Sequence, residues 1–267
     1  MKAILTKENK ALLLELVRTD FKLRYQGSLL GYVWSLLKPL LMFLILYVVF
    51  VYFLRVGKDI EHFPVYLLLG IVMWNFFSEM TIQSLGSIVG RGDLIRKIKI
   101  PRWMIVISTS ASASINFILS MIVVFIFMLI NKVDITLSGM GMLFVYATMI
   151  YVFALGLSLL LAALYVKYRD VSYIWEIVLQ AGFYATPIIY PLQMIKNPLV
   201  EKLLLLNPVA QAIQGARHDL ITHQALTTHE LWNYQWQTFV PIVAVVAVLA
   251  MGTMYFRRES KSFAENI

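Results

Sequence analysis

The residues able to do chemistry are few and scattered. Glu79 and Glu176 are the only carboxylates well inside long apolar runs. An acid–base pair needs two groups within reach of one another, and a proton relay needs a series of ionisable groups within the membrane. Two glutamates on separate runs supply neither. His218, His223 and His229 are near one another in sequence, but their spacing is not that of a helical pair and no cysteine assists. Solvated loop histidines are expected there, and no metal site. The strings G-x-x-x-x-G-K-[ST], H-E-x-x-H and G-x-S-x-G are absent, which excludes P-loop ATP hydrolysis, zinc-protease chemistry and serine acyl transfer by those routes. With zero cysteines, thiol catalysis and disulfides are excluded as well. No residue is assigned as catalytic, so the chemistry on offer is binding and the transmission of force.

The densest polar chemistry lies in Gly90 to Arg102, GRGDLIRKIKIPR. It gathers Arg91, Arg96, Lys97, Lys99 and Arg102 against one acid, Asp93, between two long apolar runs. Short loops this basic stay on the cytoplasmic side of a membrane. Asp93 is a good helix N-cap and Pro101 a good stop, so one or two helical turns fit between them. Such a helix can be pushed by another protein, with Leu94, Ile95 and Ile98 in a groove of the partner and Arg91, Arg96 and Lys97 at its rim. A topology anchor at the lipid headgroups is the plainer reading.

The elements that must position these residues follow from composition. The chain is 60% hydrophobic and 14% charged, with a mean hydropathy of +0.76. Soluble domains carry about 25% charge, so a membrane protein is expected. The net charge of +8 does not signal nucleic acid, because the basic residues sit at the ends of apolar runs. Lys7, Glu8, Lys10, Glu15 and Arg18 interrupt the first apolar stretch, and no small-residue cleavage site follows, so no secretory signal is expected.

Residues 1–30 read as an interfacial amphipathic helix. Leu12, Leu13, Leu16, Val17 and Leu23 share one arc, with Glu15, Arg18 and Lys22 opposite. Asp20 falls inside the apolar arc, and Arg24, one turn on, is its expected partner. A six-span domain follows over 31–256, with spans near 31–54, 63–89, 103–130, 135–166, 171–190 and 231–256. Lys38 and Pro39 lie near the inner end of the first. Glu79 in the second must face protein or water. The small-residue run from Ser108 to Ser114 reads as a packing seam. The outer segment 191–230 holds Asn197-Pro198 and Asn207-Pro208 beside apolar runs too short to cross, which is the pattern of a re-entrant hairpin. Residues 257–267 form a tail. Of the 23 Lys and Arg, sixteen fall on segments assigned inside and six outside, with Lys38 within a span, so both termini are expected in the cytoplasm.

Aromatic residues crowd the first and fifth spans: Trp34, Tyr47, Phe50, Tyr52 and Phe53, then Tyr173, Trp175, Phe183, Tyr184 and Tyr190. They suit either lipid-facing girdles at the interfaces or stacking against sugar faces.

The string from Arg18 to Trp34, RTDFKLRYQGSLLGYVW, with Pro39 after it, resembles the opening of the ABC-2 type polysaccharide exporter permeases. Asp93 to Lys97 with Pro101-Arg102 resembles their coupling region. Tyr168-Arg169-Asp170-Val171 and Leu206-Asn207-Pro208 with Arg217 are similar to further family stretches, in the same order. The resemblance covers essentially the whole chain. It implies an all-α permease subunit of a bacterial exporter, working as two copies with two separate ATP-binding subunits. ATP and Mg would be bound by those partners and no cofactor by this chain. The cargo would be an undecaprenyl-linked polysaccharide such as O-antigen, a teichoic acid or a capsular polymer, crossing the cytoplasmic (inner) membrane among its lipids. The resemblance further implies coupling to the ATPase through Arg91, Asp93, Leu94, Ile95, Arg96, Lys97 and Ile98. It marks Arg18, Asp20, Phe21 and Arg24 on the interfacial helix and Asn207, Pro208 and Arg217 in the outer segment. Candidate channel-lining residues are Trp34, Tyr47, Phe50, Glu79, Tyr173, Phe183 and Tyr184. An ABC permease for drugs or lipids is the main rival; a membrane-embedded enzyme on lipid-linked sugar and a proton-driven transporter lack the paired groups they need.

Overall fold

The computed structural model describes residues 7–25, 27, 31, 33–57, 60–97, 100–232, 237, 239–263; within it, the side chains of residues 7, 8, 21 and 23–25 are left undescribed. All regular structure among the described residues is helical. The order is α1 (Lys7–Tyr25), α2 (Val33–Tyr47), α3 (Phe63–Leu85), α4 (Gly92–Lys97), α5 (Trp103–Ile130), α6 (Leu137–Lys167), α7 (Val171–Ala185), α8 (Pro198–Leu205), α9 (Pro208–Leu220), α10 (Thr228–Leu231) and α11 (Val240–Glu259). A π-helical stretch, Val48–Phe53, carries α2 onward.

Among the described residues, five helical stretches are long and apolar enough to cross a membrane: Val33–Phe53, Phe63–Leu85, Trp103–Ile130, Leu137–Lys167 and Val240–Glu259. The expected span at 171–190 is shorter than read. Its helix stops at Ala185, because Thr186 precedes Pro187 and takes an extended backbone, ψ 137°. Its 15 residues reach about 22 Å, short of the roughly 30 Å hydrocarbon core. The last span starts at Val240 rather than 231, with Pro241 in its first turn, and runs on to Glu259. The second ends at Leu85, after which the chain turns through Val89–Arg91 into α4. Asp93 lies within the first turn of α4 rather than capping it.

Helix α3 is the axis. From Val65 to Met73 its side chains are essentially buried, and it packs against α2, α5, α6, α7 and α9. The small-residue run does form a seam: Ser108, Ser110, Ser112 and Ala113 are buried, and Thr109 meets Ser84 of α3 at 3.1 Å between hydroxyls. Helices α6 and α11 approach backbone to backbone at Gly156 and Gly252, where a Cβ on either would overlap the other chain segment. A second core cluster, built from Ile88, Ile105, Val106, Ala162, Phe256 and Phe263, joins the ends of α5, α6 and α11 beneath α4.

The two Asn-Pro pairs each start a helix. The Asn197 side chain accepts from Leu199 N and the Asn207 side chain from Val209 N, each at 3.0 Å, with proline in the first turn where its missing N–H costs nothing. The two short helices differ sharply. Helix α9 is buried from Pro208 to Arg217, while α8 leaves Leu199 and Leu203 exposed.

Candidate functional site

Three constellations bring distant residues together. The first ties the amino-terminal helix to the coupling segment. In α1, Leu16 is buried while Leu12, Leu13 and Val17 are half-buried, with Glu15 and Arg18 exposed, as the amphipathic arc requires. This face packs on α5. Asp20 lies on the same face and forms an ion pair with Arg91, while its second oxygen accepts from Ser108 Oγ at 2.9 Å. Arg91 donates to Ser108 Oγ at 3.1 Å. Packing of α1 on α5 turns Asp20 toward Arg91 in the loop after α3; the pairing expected with Arg24 involves a side chain outside the described ones. Side chains of Phe21 and Arg24 lie outside what the structure describes. Burial pushes Arg91 below the ordinary arginine pKa, and arginine stays charged through such shifts.

This pairing changes the reading of Gly90 to Arg102. Arg91 points inward rather than to a partner's rim. Ile95 packs against the second core cluster and so holds α4 in place. Asp93, Arg96 and Lys97 are exposed and Leu94 is half-buried, which makes them the free face of α4. Ile98 falls outside the described residues.

The second constellation is a polar groove of about 390 Å³ between α2, α3 and α5. It unites two of the channel candidates, Trp34 and Glu79, with Lys38, Asn75 and Asn116. Glu79 Oε1 accepts from Asn116 Nδ2 at 2.5 Å and from Gln83 Nε2 at 2.7 Å, so the carboxylate is held by protein beside an open cavity. The requirement that Glu79 face protein or water is met by its protein partners. The remaining aromatic candidates do not gather there. Tyr47 packs on Phe43 and Phe183 on Trp74, Phe50 is half-buried against the core, and Tyr173 and Tyr184 are exposed on the face of α7.

The third constellation was not legible beforehand. Arg217 is completely buried. Its Nε donates to the Tyr66 carbonyl at 3.0 Å, Nη1 to the Pro187 carbonyl at 2.6 Å and to Gln214 Oε1 at 3.3 Å, and Nη2 to the Ile188 carbonyl at 2.7 Å. The guanidinium lies 3.7 Å from the Tyr66 ring centroid. Gly70 leaves the space, since a Cβ there would overlap Nη2. One side chain thereby joins α3, the segment after α7 and α9. A buried cation is tolerable when each guanidinium nitrogen has an acceptor, as here, and an aromatic face lies over it. Only Arg217 carried any sequence signal, and Tyr66 and Gly70 carried none.

His218 and His223 do meet, Nε2 to Nδ1 at 3.4 Å, but among the described residues no group of three or more ligand side chains forms a metal site.

Comparison with known proteins places the chain in a family. The model of the ABC-2 type transporter family matches residues 11–221. An O-antigen export system permease protein RfbA of Klebsiella pneumoniae is 28% identical over 254 residues, covering 95% of this chain and 94% of the relative. The RfbA of Myxococcus xanthus is 29% identical over 273 residues, covering 97% and 96%. The polysialic acid transport protein KpsM of Escherichia coli is 24% identical over 214 residues, covering 79% and 80%. A family model spanning most of the chain, and five helical stretches fit to cross a membrane, lead to one conclusion: this is a multi-pass membrane protein that belongs to the ABC-2 type transporter family.

Proposed function

We propose that the chain is the permease subunit of an exporter that moves a lipid-linked polysaccharide from the cytoplasm to the outside. The observation that carries this reading is likeness along nearly the whole chain to permeases of O-antigen export. The working unit is two copies of the chain with two ATP-binding subunits, in the cytoplasmic membrane with both termini inside, and the cargo rides on undecaprenyl. In this reading α7 and the segment after it complete a sixth crossing, the extended stretch being shielded from lipid by α3 and α9. Helix α4 receives the stroke of ATP closure on Leu94, Arg96 and Lys97. The Asp20–Arg91 pair passes it to α1, and the second core cluster passes it to α5, α6 and α11. The exposed aromatics of α2 and α7, Trp34, Tyr173 and Tyr184, meet the polymer or the second copy.

The test is deletion of the gene in its own host. Lipid-linked polymer is expected to accumulate inside the cell and vanish from the surface, with rescue by the intact chain. Unchanged surface polymer would refute the reading.

A further inference from the structure

The groove between α2, α3 and α5 carries an inference that rests on the exporter reading and deepens it. Three features set the groove apart from a packing defect. It is built of hydrogen-bonding side chains within helices that are otherwise apolar, and such groups are costly to leave facing hydrocarbon. Its carboxylate is fixed in place, since Asn116 and Gln83 both donate to Glu79 Oε1. Two of its donors are uncommitted: among the described residues the Lys38 ammonium and the Asn75 amide form no side-chain hydrogen bond or ion pair. Trp34, 43% exposed, stands at the edge of the cavity. The volume of about 390 Å³ suits a small ligand rather than one water.

The ligand chemistry follows from this inventory. A fixed carboxylate accepts from hydroxyls, amides both donate and accept, an ammonium donates, and a flat indole covers a ring of C–H bonds. Vicinal hydroxyls on a saturated ring satisfy all four. A bare lipid chain satisfies none, and a bare phosphate would use Lys38 but meet the Glu79 charge.

We propose that this groove binds one sugar residue of the lipid-linked polymer, close to its lipid carrier. Trp34 covers a face of the sugar, Glu79 and Asn75 engage its hydroxyls, and Lys38 adds a cation for the phosphate that joins sugar to lipid. The groove is lined by three helices, two of them long and apolar enough to cross a membrane and the third carried on to that length, so a ligand seated there can keep its carrier in the bilayer.

The experiment uses the full chain in nanodiscs of phosphatidylethanolamine and phosphatidylglycerol. Binding is followed by native mass spectrometry for two probes: undecaprenyl diphosphate bearing one N-acetylglucosamine, and the same lipid without sugar. The expected result is at least tenfold tighter binding of the sugar-bearing lipid. Asn75→Ala and Trp34→Ala should each weaken it by about five- to tenfold, in keeping with one lost hydrogen bond or stacking contact, with the melting temperature unchanged. Glu79→Gln should weaken it as well. Should that variant fold poorly, the two milder variants still decide. Equal binding of both lipids would overturn the proposal and leave a phosphate site. Undiminished binding in Asn75→Ala and Trp34→Ala would overturn it too. Export in the host is read separately, so loss of the groove proposal with export intact leaves the exporter reading standing. Surface polymer that persists after gene deletion removes the exporter reading, and with it the role of the groove in export, whatever the two lipids show.

Discussion

Gly70 and Arg217 share one seat: the guanidinium occupies the space that a Cβ at residue 70 would take. The two residues lie on α3 and α9, and the contact exists only because those helices pack face to face. It gives the buried cation its neutral acceptors and fixes the segment after α7, through Pro187 and Ile188, to the central helix.

Gly70→Ala should therefore destabilise the protein by about 1–3 kcal/mol, the range for overpacking a tight core. Gly86→Ala serves as the control, because nothing lies within 4 Å of a Cβ there. In an Arg217→Ala background the Gly70→Ala cost should shrink, since the clash is gone. Thermal unfolding of the four proteins in one detergent gives the double-mutant cycle. Additive effects would mean that the two residues do not meet.

Arg217→Lys should fail to replace the arginine. A lysine keeps the charge but loses the planar fork that reaches three carbonyls at once. The expected loss is about 2 kcal/mol or more in stability, from buried carbonyls left unpaired. A lysine variant with the parent melting temperature would contradict this.

Asp20→Asn and Arg91→Ala should each weaken the hold of α1 on α5. The pair is mostly buried, at 15% and 19% side-chain exposure, but not sealed, so about 1–2 kcal/mol is expected rather than the full cost of a broken interior pair. Hydrogen exchange in α1 should rise in both variants and no further in the double variant. Exchange in α1 that does not change would show the pair to be idle.

Leu94→Asp should detach or uncouple the ATP-binding subunit more than Arg96→Ala or Lys97→Ala. Apolar anchors set the strength of a docked helix, while rim charges set rate and salt dependence. Ile95→Asp should act differently, lowering the stability of this chain itself, because Ile95 packs into its own core. Co-purification at two salt concentrations separates the cases. Retention of the partner by Leu94→Asp would remove α4 as the docking element.

Cysteine labelling tests the orientation in a chain that has no native cysteine. Lys97→Cys and Lys261→Cys should resist an impermeant maleimide added from outside, and Lys196→Cys and His229→Cys should react. The opposite pattern would invert the topology.

Much of the architecture was determined by the sequence alone. Trp103–Ile130 forms a helix over the very residues its apolar run marked, and the small residues from Ser108 to Ser114 form the seam they predicted. The amphipathic arc of α1 and the short basic helix after α3 were equally legible. Hydropathy, helical period and proline chemistry act within a turn or a span, so they can be read locally. The same locality misled at two places. Hydropathy started the last span at 231 where its helix begins at Val240, and α7 stopped ahead of Thr186-Pro187, where hydropathy alone would have carried it further. Tertiary structure alone decided which charges meet. Asp20 pairs with Arg91, 71 residues on in the chain and brought close by α1 lying on α5. Arg217 is seated against Tyr66 and Gly70, and Glu79 with Asn116, across gaps no sequence period connects. A buried polar group takes whatever donor or acceptor the packed helices present, and that choice is fixed by their crossing, not by their own residues.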